Sequence, residues 1–186
     1  MFAEVRRQQE LREDFESTLD QRVARSLQVK RHPMIANTYF ASASYECIQL
    51  FQDGRFYGCI SLAQAVAEAL ARFLCQRKRW RPAKNYEQNI RRLFEREFIS
   101  DGLRQWFDQI WERRDDYHHL NPRVMTDREE LEKLALEKVN LLNEIEKEIF
   151  AFRIAKDGSA ILEHPEYWDW DASGDGFIDV YLRFEP

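Results

Sequence analysis

Glycine and proline are scarce in this chain, six and five of 186 residues. That is about half the combined share of roughly 12% usual in globular proteins. So few breakers force the chain into long uninterrupted elements. A sandwich or barrel of short strands needs a turn about every 8–12 residues, and the residues for those turns are missing. An all-β fold is thereby nearly excluded and a mainly α fold expected. Charged residues at 33% suit helices with solvated faces. Hydrophobic residues at 44% can fill a real core, which argues against a disordered chain.

The periodicity divides the chain into an N-terminal helix (1–32), a helical bundle (33–156) and a small β appendage (157–186). Over 4–31 the apolar residues are sparse. Val5, Leu11, Phe15, Leu19, Val23 and Leu27 form a narrow helical stripe, and His32-Pro33 closes it. The stripe predicts packing on the body or on a partner chain. Helices are predicted over 34–52, 55–77, about 85–98, 103–117 and about 127–156. The helix over 55–77 is the most apolar, so it is expected at the centre; its recurrent alanines (63, 65, 67, 69 and 71) let a neighbour approach closely. Ser100 is placed to cap the helix after it, and Thr126 with Glu129 has capping-box form. Ala160 to Leu162 and Phe177 to Leu182 read as short strands forming a C-terminal β-hairpin.

Cys47, Cys59 and Cys75 are odd in number, lie in apolar stretches and lack metal-ligand spacing. They are expected to be reduced core thiols of a cytoplasmic protein. No run approaches the roughly 18 apolar residues of a spanning helix, and Met1 to Arg7 leads into polar sequence, not an apolar secretory core. No membrane association, metal or cofactor is expected. The net charge of −5 hides a segregation. Residues 72–104 carry ten Lys/Arg against four Asp/Glu, and residues 105–186 carry ten against twenty. The basic middle keeps a nucleic-acid partner open despite the acidic total.

The stretch from Trp111 to Pro122 holds Arg113, Arg114, Asp115, Asp116, His118 and His119. These residue types suit phosphodiester chemistry. Histidine takes or gives a proton near neutral pH. Arginine stays charged and clamps a phosphate or phosphorane bidentately. Attack by an RNA 2′-hydroxyl on its own phosphate needs both services and no metal. The opposite reading is a solvated helix end with local ion pairs, worth little in stability.

The run Arg114, Asp115, Asp116-Tyr117-His118, His119 resembles the motif of the HEPN superfamily: an arginine, a polar residue, three more residues, then a histidine. Upstream, Tyr45 to Cys75, with Asp53-Gly54-Arg55-Phe56-Tyr57 and then Glu68 and Ala69-Leu70 in an Ala-rich helix, is similar to the first helical pair of that family. Together the cues cover about residues 34–150. The resemblance implies an up-and-down bundle of four to five helices, often dimeric, with both motifs in one composite cleft. It implies metal-independent endoribonuclease activity, in toxin–antitoxin, anti-phage or RNA-processing settings, under an antitoxin or regulatory partner. Arg114 would stabilise the transition state, His119 would do the acid–base work, and Asp115 would orient either. Asn121 would help position RNA; a variant of the family has a tyrosine there that a partner modifies, so that regulation is not carried over. Arg113 and His118 show the same spacing, leaving the register open. In a regular helix residues five apart sit about 140° apart, whereas Arg114 and His118 share a face. The rival class is a non-catalytic module binding a protein or nucleotide.

Two further sites are suggested. Arg77, Lys78, Arg79, Arg81 and Lys84 surround Trp80, which suits a phosphate backbone with a stacked base, or simply a solvated loop. Asp171 to Leu182 begins like an EF-hand calcium loop, but Leu182 stands where the bidentate Glu belongs. A turn between strands explains the same residues.

Overall fold

The computed structural model describes residues 2–168 and 179–183. Among the described residues seven α-helices and four short strands follow in order: α1 (Phe2–Ser26), β1 (Met34–Ala36), α2 (Ala41–Gln52), α3 (Phe56–Arg77), α4 (Tyr86–Glu95), α5 (Asp101–Trp111), α6 (Arg114–His118), α7 (Arg128–Ile149), β2 (Phe152–Ile154), β3 (Ala160–Leu162) and β4 (Val180–Leu182), with a 3-10 turn at Pro165–Tyr167 between the last two. The chain is mainly helical, as the scarcity of breakers requires.

Helix α3 sits at the centre and packs against α2, α4, α5, α6 and α7. By composition it is apolar enough to cross a membrane, but 67% of that apolar window is buried inside the bundle. Cys59, Ala63, Ala67 and Ala71 recur every fourth residue and are fully buried. A stripe of small side chains lets neighbouring backbones come close. Phe40, Phe73 and Phe150 join three elements in one aromatic cluster. Cys47, Cys59 and Cys75 are buried thiols, as expected.

Helix ends follow local chemistry. Ser100 Oγ accepts from Leu103 N at 3.0 Å, the predicted cap of α5. The cap of α7 falls one residue later than predicted: Asp127, not Thr126, accepts from Glu130 N at 3.0 Å. The segment 34–52 is not one helix. Met34 to Ala36 forms a strand, and the helix starts at Ala41. Helix α7 stops at Ile149, short of 156, where Phe152 to Ile154 turns to strand.

The two predicted strands do not pair with each other. β3 pairs antiparallel with β2, Phe152 opposite Leu162. The tight turn at Asp157-Gly158, with Gly158 at φ +86°, joins them. A short loop closes at lower entropic cost than a long one, so the near partner wins. β4 instead pairs with β1, Ile35 opposite Tyr181. Beside it Arg183, fully buried, meets Glu146 Oε2 at 2.8 Å and Ser44 Oγ at 3.0 Å. The glutamate also accepts from Ser44. Strand β4 is thus fastened to α2 and α7 as well as to β1.

Helix α1 is held at its C-terminal end. Arg22 pairs with Asp53, Arg25 with Glu132 at 2.8 Å, and Arg25 lies over the Phe56 ring. Arg25 is its one buried side chain, and the stripe of Val5, Leu11, Phe15, Leu19 and Val23 is exposed. Packing on the body is therefore confined to the last turns.

Candidate functional site

The segment predicted as one helix over 103–117 is two. Helix α5 ends at Trp111, and α6 begins at Arg114. Between them Arg113 adopts a left-handed backbone, φ 62°, a conformation that costs a non-glycine residue energy and needs support from its surroundings. The support comes from two buried polar side chains. Gln64 of α3 donates from Nε2 to the Ile110 carbonyl at 3.1 Å and the Glu112 carbonyl at 3.2 Å. Lys138 of α7 donates to the Gln109 carbonyl at 2.6 Å. Together they bond carbonyls at the end of α5, where the regular helical bonds stop; the Gln109 carbonyl also accepts from the Glu112 amide at 3.3 Å. Burial lowers the Lys138 pKa, against Glu137 beside it.

Helix α3 presents four positions to this segment, spaced 4, 3 and 4 and hence on one face. The Tyr57 hydroxyl donates to the Met125 carbonyl at 2.7 Å, and its ring meets Tyr117 at 6.2 Å. The Ser61 backbone acts on His118, raising its pKa. Gln64 holds the break. Glu68 lines the cleft that the break opens and pairs with Arg72.

That cleft has a volume of about 550 Å³. Arg113, Arg114, Asp115 and Asp116 line it from α6 and its start, Arg123 from the following loop, and Lys84 from the basic connector. Tyr86 and Trp111 form its aromatic wall, stacked at 3.9 Å and 13°. The Trp111 indole donates to Glu87 at 3.1 Å. The Arg114 guanidinium lies over the same indole at 5.3 Å and reaches Asp115 at 3.0 Å. Its Nε has no hydrogen-bond partner among the described residues. Asp116 is shared between Arg113 at 3.4 Å and Arg123 at 3.6 Å. Arg113 is committed further, to the Arg123 carbonyl and the Tyr117 ring. Of the two adjacent arginines, Arg114 has the weaker tether.

Arg114 opens α6 and His118 closes it, one turn apart; His119 is the residue after the helix, exposed, its amide bonded to the Asp115 carbonyl at 3.3 Å. Desolvation first, then the Arg114 guanidinium and His119, hold the His118 pKa below its usual value, with Glu68 and the Ser61 backbone opposing; both histidines are exposed and neither is among the described lining of the cleft. The electrostatic coupling of Arg114 to His118 fits the shared face of residues four apart. Asn121 serves a turn: its amide donates to the Asp116 carbonyl at 2.9 Å and its side chain accepts from Arg123 N at 3.3 Å.

Among the connector residues, Lys84 reaches this cleft, while Arg77, Arg79, Trp80 and Arg81 are not among its described lining. Trp80 is engaged by its own chain. Arg92 and Arg96 lie over its ring at 4.9 and 4.8 Å, and Phe98 meets it edge-on. Arg77 lies over Phe73, and Arg79 takes a left-handed backbone. The Arg81 carbonyl accepts from Arg92 at 3.1 Å. Residues 171–178 of the calcium-like loop lie outside the described residues. Asp179, its ninth position, accepts from the Asn37 side chain at 2.9 Å. Among the described residues no three His, Cys, Asp or Glu side chains are grouped to hold a metal.

The residues that sequence reasoning missed are Gln64, Tyr86, Trp111 and Arg123, and Lys84 was placed in the connector site and not in this cleft. A polar stripe inside the most apolar helix was the available signal for Gln64. Compared with known proteins, the chain matches no family model, no curated protein and no solved structure.

Proposed function

We propose that the cleft at the α5–α6 break cleaves RNA without a metal ion, in the manner of a HEPN-type endoribonuclease. The observation that carries this reading is Arg114. It is oriented by Trp111, tethered weakly through an exposed carboxylate, and shares one face of a short helix with a histidine. An RNA phosphate exchanges readily with such a carboxylate, and bidentate binding then stabilises the charge that develops at phosphorus. Lys84 and Arg123 add positive charge at the rim.

In the reaction the RNA 2′-oxygen bonds to the adjacent phosphorus and the bond to the 5′-oxygen breaks. One imidazole takes the 2′-hydroxyl proton and a second returns a proton to the leaving oxygen. His118 suits the first role, because its lowered pKa leaves more of it unprotonated at neutral pH. His119, or a histidine from a second copy facing the cleft, supplies the other. A homodimer with a composite cleft, and control by an antitoxin or another regulatory protein in a defence setting, belong to the same reading.

The test incubates RNA with the protein in excess chelator, beside Arg114→Ala, His118→Ala and His119→Ala. The parent cleaves and Arg114→Ala does not. Whichever histidine variant loses more activity sets the register. Intact RNA with the parent, or equal cleavage by all four, leaves the non-catalytic module as the reading.

A further inference from the structure

A second cleft, of about 530 Å³, opens where α7 ends and the β2–β3 hairpin begins. It shares no lining residue with the α5–α6 cleft. Its walls are aromatic. His32 and Phe152 meet edge to face at 5.6 Å, and Trp106 of α5 stands across from α7. His32 is held through one ring nitrogen and through its backbone. Its Nε2 lies 2.9 Å from the Phe150 carbonyl, and its backbone amide donates to Asn143 Oδ1 at 2.8 Å. Nε2 therefore carries a hydrogen and donates it to that carbonyl, and burial outweighs this bond and lowers the pKa of the ring. At neutral pH His32 is a wall, not a competing cation.

The rim is acidic. Glu144 and Glu148 lie one turn apart on α7, and Glu163 follows β3. Against them stands Lys147, 3.7 Å from Glu144 and largely exposed. Ring faces carry negative quadrupole potential and accept the apolar skirt of a cation, while carboxylates accept its charge. A hard metal ion needs several oxygens converging on one point. No such group of side chains exists among the described residues.

We infer that this cleft binds an organic cation, an alkylammonium or guanidinium group, with Trp106, Phe152 and His32 around its carbon skirt and Glu148 and Glu163 on its charge. The group arrives either as a free small molecule or on a peptide side chain.

The His32 ring resonances report the test. The protein is titrated with choline, with a lysine-centred tripeptide, and with 3,3-dimethylbutan-1-ol, the uncharged carbon counterpart of choline. Saturable His32 shifts are expected with at least one cation, at least tenfold weaker with the alcohol, while His119 stays unmoved. Tighter binding of choline points to a small metabolite, and tighter binding of the tripeptide to a protein partner. Glu148→Gln, which keeps the carbon skeleton and hence the fold, weakens the cation at least fivefold. Equal affinity for the alcohol, or no saturable shift with either cation, overturns the inference.

Discussion

Arg183 and Glu146 meet at 2.8 Å with side chains 0% and 1% exposed, whereas Arg114 and Asp115 meet at 3.0 Å with side chains 30% and 79% exposed. Residue types and distances barely differ; burial does. The first pair lies where water cannot replace either partner, so removing one strands a charge. The second lies at the surface with its carboxylate largely in water, where the net contribution of the pair is small and Asp115 can be exchanged. One pair fastens the last strand to the bundle. The other holds an arginine ready for a different anion.

The largest effect expected from this contrast is on stability. Arg183→Met leaves Glu146 buried and unpaired and costs about 3–5 kcal/mol. Denaturant unfolding measures it, and adding Glu146→Leu recovers most of the loss. A cost below about 1 kcal/mol breaks the contrast. Next comes Gln64→Leu, which strips a donor from the Ile110 and Glu112 carbonyls. It costs about 1–3 kcal/mol and moves the amide resonances of α6; unmoved resonances mean that Gln64 does not set the break.

Much of this was legible in the sequence. The long helices followed from the missing breakers, and the Ser100 cap and buried thiols from local residue type. The α5–α6 break was not legible, because Ile110 to Tyr117 keeps helical spacing and no glycine marks the left-handed residue. That residue is Arg113, and tertiary contacts from Gln64 and Lys138 stabilise what local propensity opposes. The strand partners were hidden for a similar reason: three-residue strands carry too little alternation to specify a mate. The motif stood out by composition, but its relation to Trp111 and Lys84 depends on α4 packing beside α5.

A smaller effect is expected with pH. Burial holds the His32 pKa below the free value of about 6.5. Below that value the unfolded chain takes up more protons than the folded one, so stability falls as pH drops. Unfolding curves at pH 7.5 and 5.5 show a shallower fall for His32→Gln than for the parent. An unchanged slope assigns the acid sensitivity to other groups.

The smallest stability effect belongs to Arg114→Ala, within about 0.5 kcal/mol of the parent, as for an exposed ion pair. Its effect on chemistry is the reverse, because removing a transition-state donor costs about 100- to 1,000-fold in rate. The most direct measurement is therefore the end groups of RNA incubated with the protein in excess chelator. Fragments carrying 2′,3′-cyclic phosphate and 5′-hydroxyl ends are expected from the parent and at least 100-fold fewer from Arg114→Ala. Uncut RNA, or the same fragments at the same rate from both proteins, contradicts the assignment of this cleft.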